Sequence, residues 1–151
     1  MEIERKYLVN PTLWEEVAKG KGKVIRQGYF TSNENFSVRV RTKGEKAFLT
    51  IKGCIDAISR HEFEYEIPVQ DAVFMLENYA KPYLHKIRYE IEFEGKIWEV
   101  DEFQGSLSPL LLAEIELTHP DETFSLPEWV DKEVTEDPSY LNSNIIKRLT
   151  K

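Results

Sequence analysis

A chain of 151 residues is the size of one domain with room for a sizeable core, and a formal net charge of −7 argues against a broad basic footprint for nucleic acid. There is no run of eighteen apolar residues, and the chain opens on Glu and Arg rather than on a basic stretch followed by an apolar one, so neither a membrane span nor a signal peptide is expected. The only cysteine, Cys54, excludes an intramolecular disulfide, suits a reducing, cytoplasmic setting, and is expected to be structural rather than reactive.

Residues 2–9 read as a strand in which Glu2, Glu4 and Lys6 share one face and Ile3, Arg5 and Tyr7 the other, because successive side chains point to opposite sides. Asn10 suits a helix N-cap and Pro11 the first helical position. Leu13, Trp14, Val17 and Ala18 form an apolar stripe, and Gly20 can end that helix. After a basic turn at 19–23, strands are expected over 24–30, 36–42 and 47–52, the last two joined by Lys43-Gly44-Glu45. Residues 54–58 are expected to be a loop or a poor strand end, and 59–69 a long alternating strand with Pro68 at its end. Asp71 is expected to cap a helix that packs Val73, Leu76 and Ala80. Strands over 84–93 and 96–103 flank a hairpin turn at Glu94-Gly95. A loop at 104–109 precedes a strand over 110–117. Pro127 is expected to start a short helical segment through Val130, and Ser139 to cap a last helix carrying Leu141, Ile145 and Leu149.

The charged side chains are sorted by strand. Arg39 and Arg41 alternate with Val38 and Val40; Lys52 follows Ile51; Arg60, Glu62, Glu64 and Glu66 alternate with His61, Phe63, Tyr65 and Ile67. Lys86 and Arg88 flank Ile87, Glu99 and Asp101 flank Val100, and Glu114 and Glu116 flank Ile115. One such strand alone would read as a solvated sheet face. Ser and Thr are scarce on these faces, however, and long ionisable side chains on strand after strand favour a charged interior that holds a ligand. Six bases (Lys6, Arg39, Arg41, Lys52, Lys86, Arg88) oppose six acids (Glu2, Glu4, Glu62, Glu64, Glu114, Glu116) on that face. Alternate residues stand about 6.6 Å apart, near enough for two carboxylates to act on one divalent ion. The donors are carboxylates with no softer ligand, which points to Mg²⁺ or Mn²⁺ rather than zinc. The fold class is therefore α+β, mainly β: a barrel with a charged lumen and short helices on its outer wall.

Glu2-Ile3-Glu4-Arg5-Lys6 resembles the amino-terminal ExExK signature of the CYTH superfamily, the triphosphate tunnel metalloenzymes. Arg39-Val40-Arg41, Thr50-Ile51-Lys52-Gly53, Arg60-His61-Glu62-Phe63-Glu64, Lys86-Ile87-Arg88, Trp98-Glu99-Val100-Asp101 and Glu114-Ile115-Glu116 follow in family order over nearly the whole chain. The resemblance implies one tunnel domain over 1–151, a closed antiparallel eight-stranded barrel. It also implies metal-dependent hydrolysis of a linear triphosphate, inorganic tripolyphosphate first, with Mg²⁺ or Mn²⁺ as cofactor. Lys6, Arg39, Arg41, Lys52, Arg60, Lys86 and Arg88 would bind phosphate, since Arg and Lys supply charge-assisted donors. Glu2, Glu4, Asp101, Glu114 and Glu116 would hold metal, and Glu62 and Glu64 could complete a second metal site and serve catalysis. In relatives a tyrosine of the second strand has been paired with the signature lysine for proton handling, which makes Tyr29 and Lys6 catalytic candidates.

The family also cleaves thiamine and nucleoside triphosphates and cyclises ATP. A cyclase would need a base-recognition site that nothing in the sequence identifies. A non-enzymatic polyphosphate-binding module would gain affinity by losing the acids. The expected partner is a small-molecule triphosphate, with no nucleic acid and no membrane; a homodimer is left open. His61 and His85 fall in the outward phase and His119 in a loop, so none is given a role. No Gly-rich phosphate loop, HExxH helix or nucleophile elbow is present.

Overall fold

Strands with one ionisable and one apolar face can bury the apolar side against helices and loops only if the sheet curls with its charges inward. The computed structural model, which describes residues 1–150, has this form. Eight strands, β1 (Glu2–Val9), β2 (Lys23–Ser32), β3 (Phe36–Lys43), β4 (Lys46–Cys54), β5 (Ser59–Ile67), β6 (Leu84–Phe93), β7 (Lys96–Phe103) and β8 (Leu111–Leu117), close in the order β1-β5-β4-β3-β2-β6-β7-β8 and back to β1. All neighbours are antiparallel.

Closure is uneven. β1 pairs with β8 from Ile3↔Leu117 to Leu8↔Leu112, but meets β5 only at Glu2↔Arg60 and Ile3↔Ser59. Beyond that point other segments complete its edge. The Glu4 N–H donates to the Ile58 carbonyl at 3.0 Å and the Val134 N–H to the Lys6 carbonyl at 2.8 Å; the Lys6 N–H donates to Thr135 Oγ1 at 3.0 Å. β9 (Val130–Glu133) pairs with Tyr7 and Val9. The helical segment expected from Pro127 to Val130 is thus a turn followed by a strand, because the open backbone groups of β1 require partners.

Three helix expectations also shift. α1 (Pro11–Glu15) is capped as expected, Asn10 Oδ1 accepting from the Leu13 N–H at 3.0 Å. It stops short of Gly20, where Lys19 Nζ donates to the Trp14 carbonyl at 2.6 Å. α2 (Val69–Asn78) starts behind Pro68, so Asp71 lies in its first turn rather than at the cap, and β5 ends at Ile67. Asp137, not Ser139, caps the final segment, which divides into a 3-10 turn (Pro138–Tyr140), α3 (Asn142–Ile145) and a second 3-10 turn (Ile146–Thr150). Cys54 is exposed at the end of β4.

The outer wall carries the core. Trp14, Trp98 and Trp129 meet edge to face, with centroids 5.3 Å apart for Trp14–Trp129 and 6.0 Å for Trp98–Trp129, beside Ile3, Tyr7, Val100 and Ile115. α2 buries Ala72 and Leu76, and the turn after it Ala80, against Val40 and Ala47. Gly28 makes this docking possible, since a Cβ there would lie 2.3 Å from the Ala80 carbonyl oxygen. A further cluster closes one end of the barrel. Leu8, Leu84, Phe103 and Leu112 continue the inward phase of the charged residues as apolar side chains and pack with Ile145 and Ile146. No helix among the described residues is long and apolar enough to cross a membrane.

Candidate active site

The inward phase of the strands encloses a cavity of about 200 Å³. Glu2, Glu4, Lys6, Tyr29, Arg39, Arg41, Lys52, Arg60, Glu62, Glu64, Lys86, Arg88, Glu114 and Glu116 all line it. Antiparallel register puts cations opposite acids: Lys6 faces Glu114, Lys52 faces Glu62 and Arg88 faces Asp101. Asp101, expected among the metal ligands, is placed differently. It is 1% exposed beneath the cavity, with both oxygens taken by Arg88 (Nε to Oδ1 2.7 Å, Nη2 to Oδ2 2.9 Å), and Lys86 Nζ stands 2.8 Å from Oδ2. Burial works to raise its pKa, but Arg88 and Lys86 hold it down to about 2.

The cations lie deep in the lumen. Arg39, Arg41, Lys86 and Arg88 are all buried. Burial, then the charges of Arg39 and Arg88, push Arg41 down to about 10. Burial lowers Lys86 to about 8 even though Asp101 opposes it. Glu64 Oε2 takes up part of the charge, 3.5 Å from Arg39 Nη2 and 3.7 Å from Arg41 Nη2, while also accepting from Thr50 Oγ1 at 2.9 Å. The Nε atoms of Arg39 and Arg41 are buried without hydrogen-bond partners among the described residues. Such donors suit the oxygens of a polyanion.

The acids form the opposite sector. Lys52 Nζ bridges Glu2 at 2.8 Å and Glu62 at 3.4 Å. Glu4 and Glu114 share a hydrogen bond; burial, then the charges of Glu114 and Glu2, raise Glu4 well above the usual carboxylate range. Glu114 lies well below that range, since Lys6 and Arg88 overcome its burial. Burial and the charge of Glu2 also raise Glu116. Among the described residues no ready-made group of three or more metal-ligating side chains stands together. What does stand together is the Glu4–Glu114 pair of hard-oxygen donors, between which a divalent cation could bind. A small hard ion of this kind takes one or two carboxylates and completes its shell with water and substrate phosphate oxygens, so the pair fits.

The closed end is built by the chain's last segment. Lys6 Nζ donates to the Tyr140 carbonyl at 3.0 Å and Lys86 Nζ to Asn142 Oδ1 at 2.9 Å, and Leu141, Asn142 and Ser143 line the cavity. Gln27, Ser37, Lys43 and Glu99 line it as well. Lys43 continues the Arg39–Arg41 phase, Glu99 precedes Asp101 by two and lies 3.3 Å from Arg88 Nη1, and Gln27 precedes Tyr29 by two; for these the signal was the alternation itself. For Asn142 no local signal exists.

A CYTH domain family model matches residues 1–148. An inorganic triphosphatase of Acetivibrio thermocellus is 48% identical over 147 residues, covering 97% of this chain and 93% of the relative. One from Nitrosomonas europaea is 35% identical over 145 residues, covering 93% of each. A crystal structure described as that of an inorganic triphosphatase superposes with a TM-score of 0.68 at 32% identity, covering 97% of this chain and 94% of the other.

Proposed function

Because the chain belongs to the CYTH domain family, we propose that it is a metal-dependent phosphoanhydride hydrolase that cleaves inorganic tripolyphosphate to orthophosphate and diphosphate. The observation that carries this reading is the enclosed set of buried cations facing the carboxyl groups of Glu4 and Glu114 across one cavity. Buried charge at this density is a poor stabiliser by itself, because desolvation offsets the attraction. It suits a polyanion that arrives with a divalent ion.

Arg39, Arg41, Lys52, Arg60, Lys86 and Arg88 grip the phosphate chain, and Asp101 fixes Lys86 and Arg88 in place from below. Glu4 and Glu114, flanked by Glu2 and Glu116, would hold Mg²⁺ or Mn²⁺. When bound, the ion would neutralise phosphate oxygens and activate water. Glu64 gives up Arg39 and Arg41 as phosphate takes them, which leaves it and Glu62 free to act on water or a second ion. Lys6 and Tyr29 stand at the closed end, where Lys6 offers its charge to the terminal phosphoryl group. The preference for an inorganic chain over a nucleotide rests on the lining: it is mostly charged, and its Tyr29 and Leu141 lie at the closed end rather than beside an open slot for a base.

Incubation with tripolyphosphate, ATP or thiamine triphosphate and Mg²⁺ or Mn²⁺, with products resolved, tests this. Orthophosphate and diphosphate from tripolyphosphate support the reading. Cyclic nucleotide from ATP, or binding without turnover, would overturn it.

A further inference from the structure

Gln27 belongs to none of the motifs, yet it is 1% exposed and lines the cavity. Its Nε2 donates to Tyr29 Oη at 2.8 Å. Its Oε1 is buried and has no hydrogen-bond partner among the described residues. Beside it in register is Arg41, whose buried Nε also lacks one. An acceptor on β2 and a donor on β3, at paired positions that line one cavity, are thus both unsatisfied.

The chemistry of the lumen limits what completes them. A phosphate chain offers acceptors, which a carbonyl oxygen repels. Lys86 Nζ is held by Asp101 and Asn142, and Arg88 by Asp101 and Glu99. A group that donates to Gln27 Oε1 and can also accept from Arg41 Nε must be amphoteric, and a hydrolase brings such a molecule to every turnover: water. Unpaired buried polar groups weaken a fold and are kept where function needs them.

We propose that Gln27 orients the attacking water, an inference that rests on the triphosphatase reading above. Oε1 accepts a hydrogen bond from the water, while Nε2 donates to Tyr29 Oη. This turns a lone pair of the water toward phosphorus. The water oxygen bonds to the terminal phosphorus as the bridging P–O bond breaks and leaves its electron pair on the diphosphate. One water proton stays on the orthophosphate and the other ends on the diphosphate, so atoms and charge balance.

The test uses Gln27→Met, which keeps the side chain's length and removes both polar atoms, and Gln27→Glu, which keeps an acceptor. For Gln27→Met the expected result is a fall in kcat of about tenfold to a hundredfold, the scale of a misplaced reactant, with KM changed less than about twofold. Its melting temperature should stay close to that of the unsubstituted protein, because the unpaired carbonyl and the bond to Tyr29 are lost together. Gln27→Glu should recover part of the lost kcat. Normal kcat in Gln27→Met overturns the proposal. So does a defect confined to KM, which would make the amide a phosphate donor, or a lowered melting temperature, which would make it structural. A Gln27→Glu protein no faster than Gln27→Met overturns it as well, since the missing contact would then be the N–H. If the unsubstituted protein releases no orthophosphate in the same assay, it is the triphosphatase reading that falls.

Discussion

Glu4 and Glu114 are two carboxyl groups in one enclosed space whose pKa values are pushed in opposite directions, Glu4 raised by burial and by its acidic neighbours, Glu114 held down by Lys6 and Arg88 against its burial. A cation entering between them competes with protonation of Glu4, so the metal requirement should ease as pH rises. Glu114→Gln keeps the size and one oxygen while removing charge. We expect a folded protein whose metal requirement rises sharply and whose kcat falls by orders of magnitude, measured by metal titration of tripolyphosphate hydrolysis. Near-normal kcat with unchanged metal dependence would remove Glu114 from the metal site. Lys86 sets the other limit. Its folded-state pKa of about 8 lies below the ordinary 10.5, with burial as the main cause. In free enzyme its charge fades as pH passes about 8, so kcat/KM for tripolyphosphate should decline there. Stability runs the opposite way: between about 8 and 10.5 the unfolded chain binds the proton that the folded one has lost, so this group's contribution to stability rises with pH across that window. A pH profile of kcat/KM beside a pH series of melting temperatures checks both signs.

At the scale of the strand, β1 separates the faces most sharply. Glu2, Glu4 and Lys6 line the cavity, whereas Arg5 lies on the opposite face and reaches Glu133 of β9 at 2.9 Å. That pair is partly exposed, and such pairs contribute about 0–1 kcal/mol. Arg5→Ala should therefore leave KM for tripolyphosphate nearly unchanged, while Arg39→Ala should raise it at least about tenfold, the scale of one charged hydrogen bond. Equal effects would mean that the strand register is wrong. This phase is legible in the sequence alone, because a period of two shows in Arg39-Val40-Arg41 or Glu114-Ile115-Glu116 without reference to other parts of the chain. The same phase, followed to its end, also reads the sealed mouth, since Leu8, Leu84, Phe103 and Leu112 continue the charged rows as apolar ones. β9 is not legible in this way. Val130-Asp131-Lys132-Glu133 has no alternation and becomes a strand only because β1 departs from β5 after Ile3 and leaves an edge to fill. Asn142 is hidden for a similar reason: its contact with Lys86 spans 56 residues of sequence. Asp101 stands out as a site residue by its phase, but its role depends on two cations from the neighbouring strand occupying both its oxygens.

For the molecule as a whole, a net charge of −7 surrounds a cavity whose deepest side chains are cations, so an anion is attracted locally rather than by the protein's overall field. The shape of that cavity adds a constraint. One end is sealed by the Leu8–Leu84–Phe103–Leu112 cluster and by residues 140–143, so a substrate has to enter end-on through the other. A linear chain satisfies this by presenting a terminal phosphoryl group to Lys6 and Lys86 with the rest trailing toward Arg39 and the acids. A ring has no terminal phosphoryl group, and its bridging oxygens cannot lie in line with a water held at the closed end. Cyclic trimetaphosphate carries the same three phosphorus atoms as tripolyphosphate and is the informative comparison. With the divalent ion held constant, it should be hydrolysed at least about a hundredfold more slowly than tripolyphosphate, the order of rate lost when reacting groups are misaligned. It should also compete only weakly for the site. Orthophosphate release from each substrate, and inhibition of tripolyphosphate cleavage by the ring, measure both. Turnover of the ring at a rate comparable to the chain would mean that substrates are not admitted end-on, and that the segment at 140–143 does not close the tunnel during turnover.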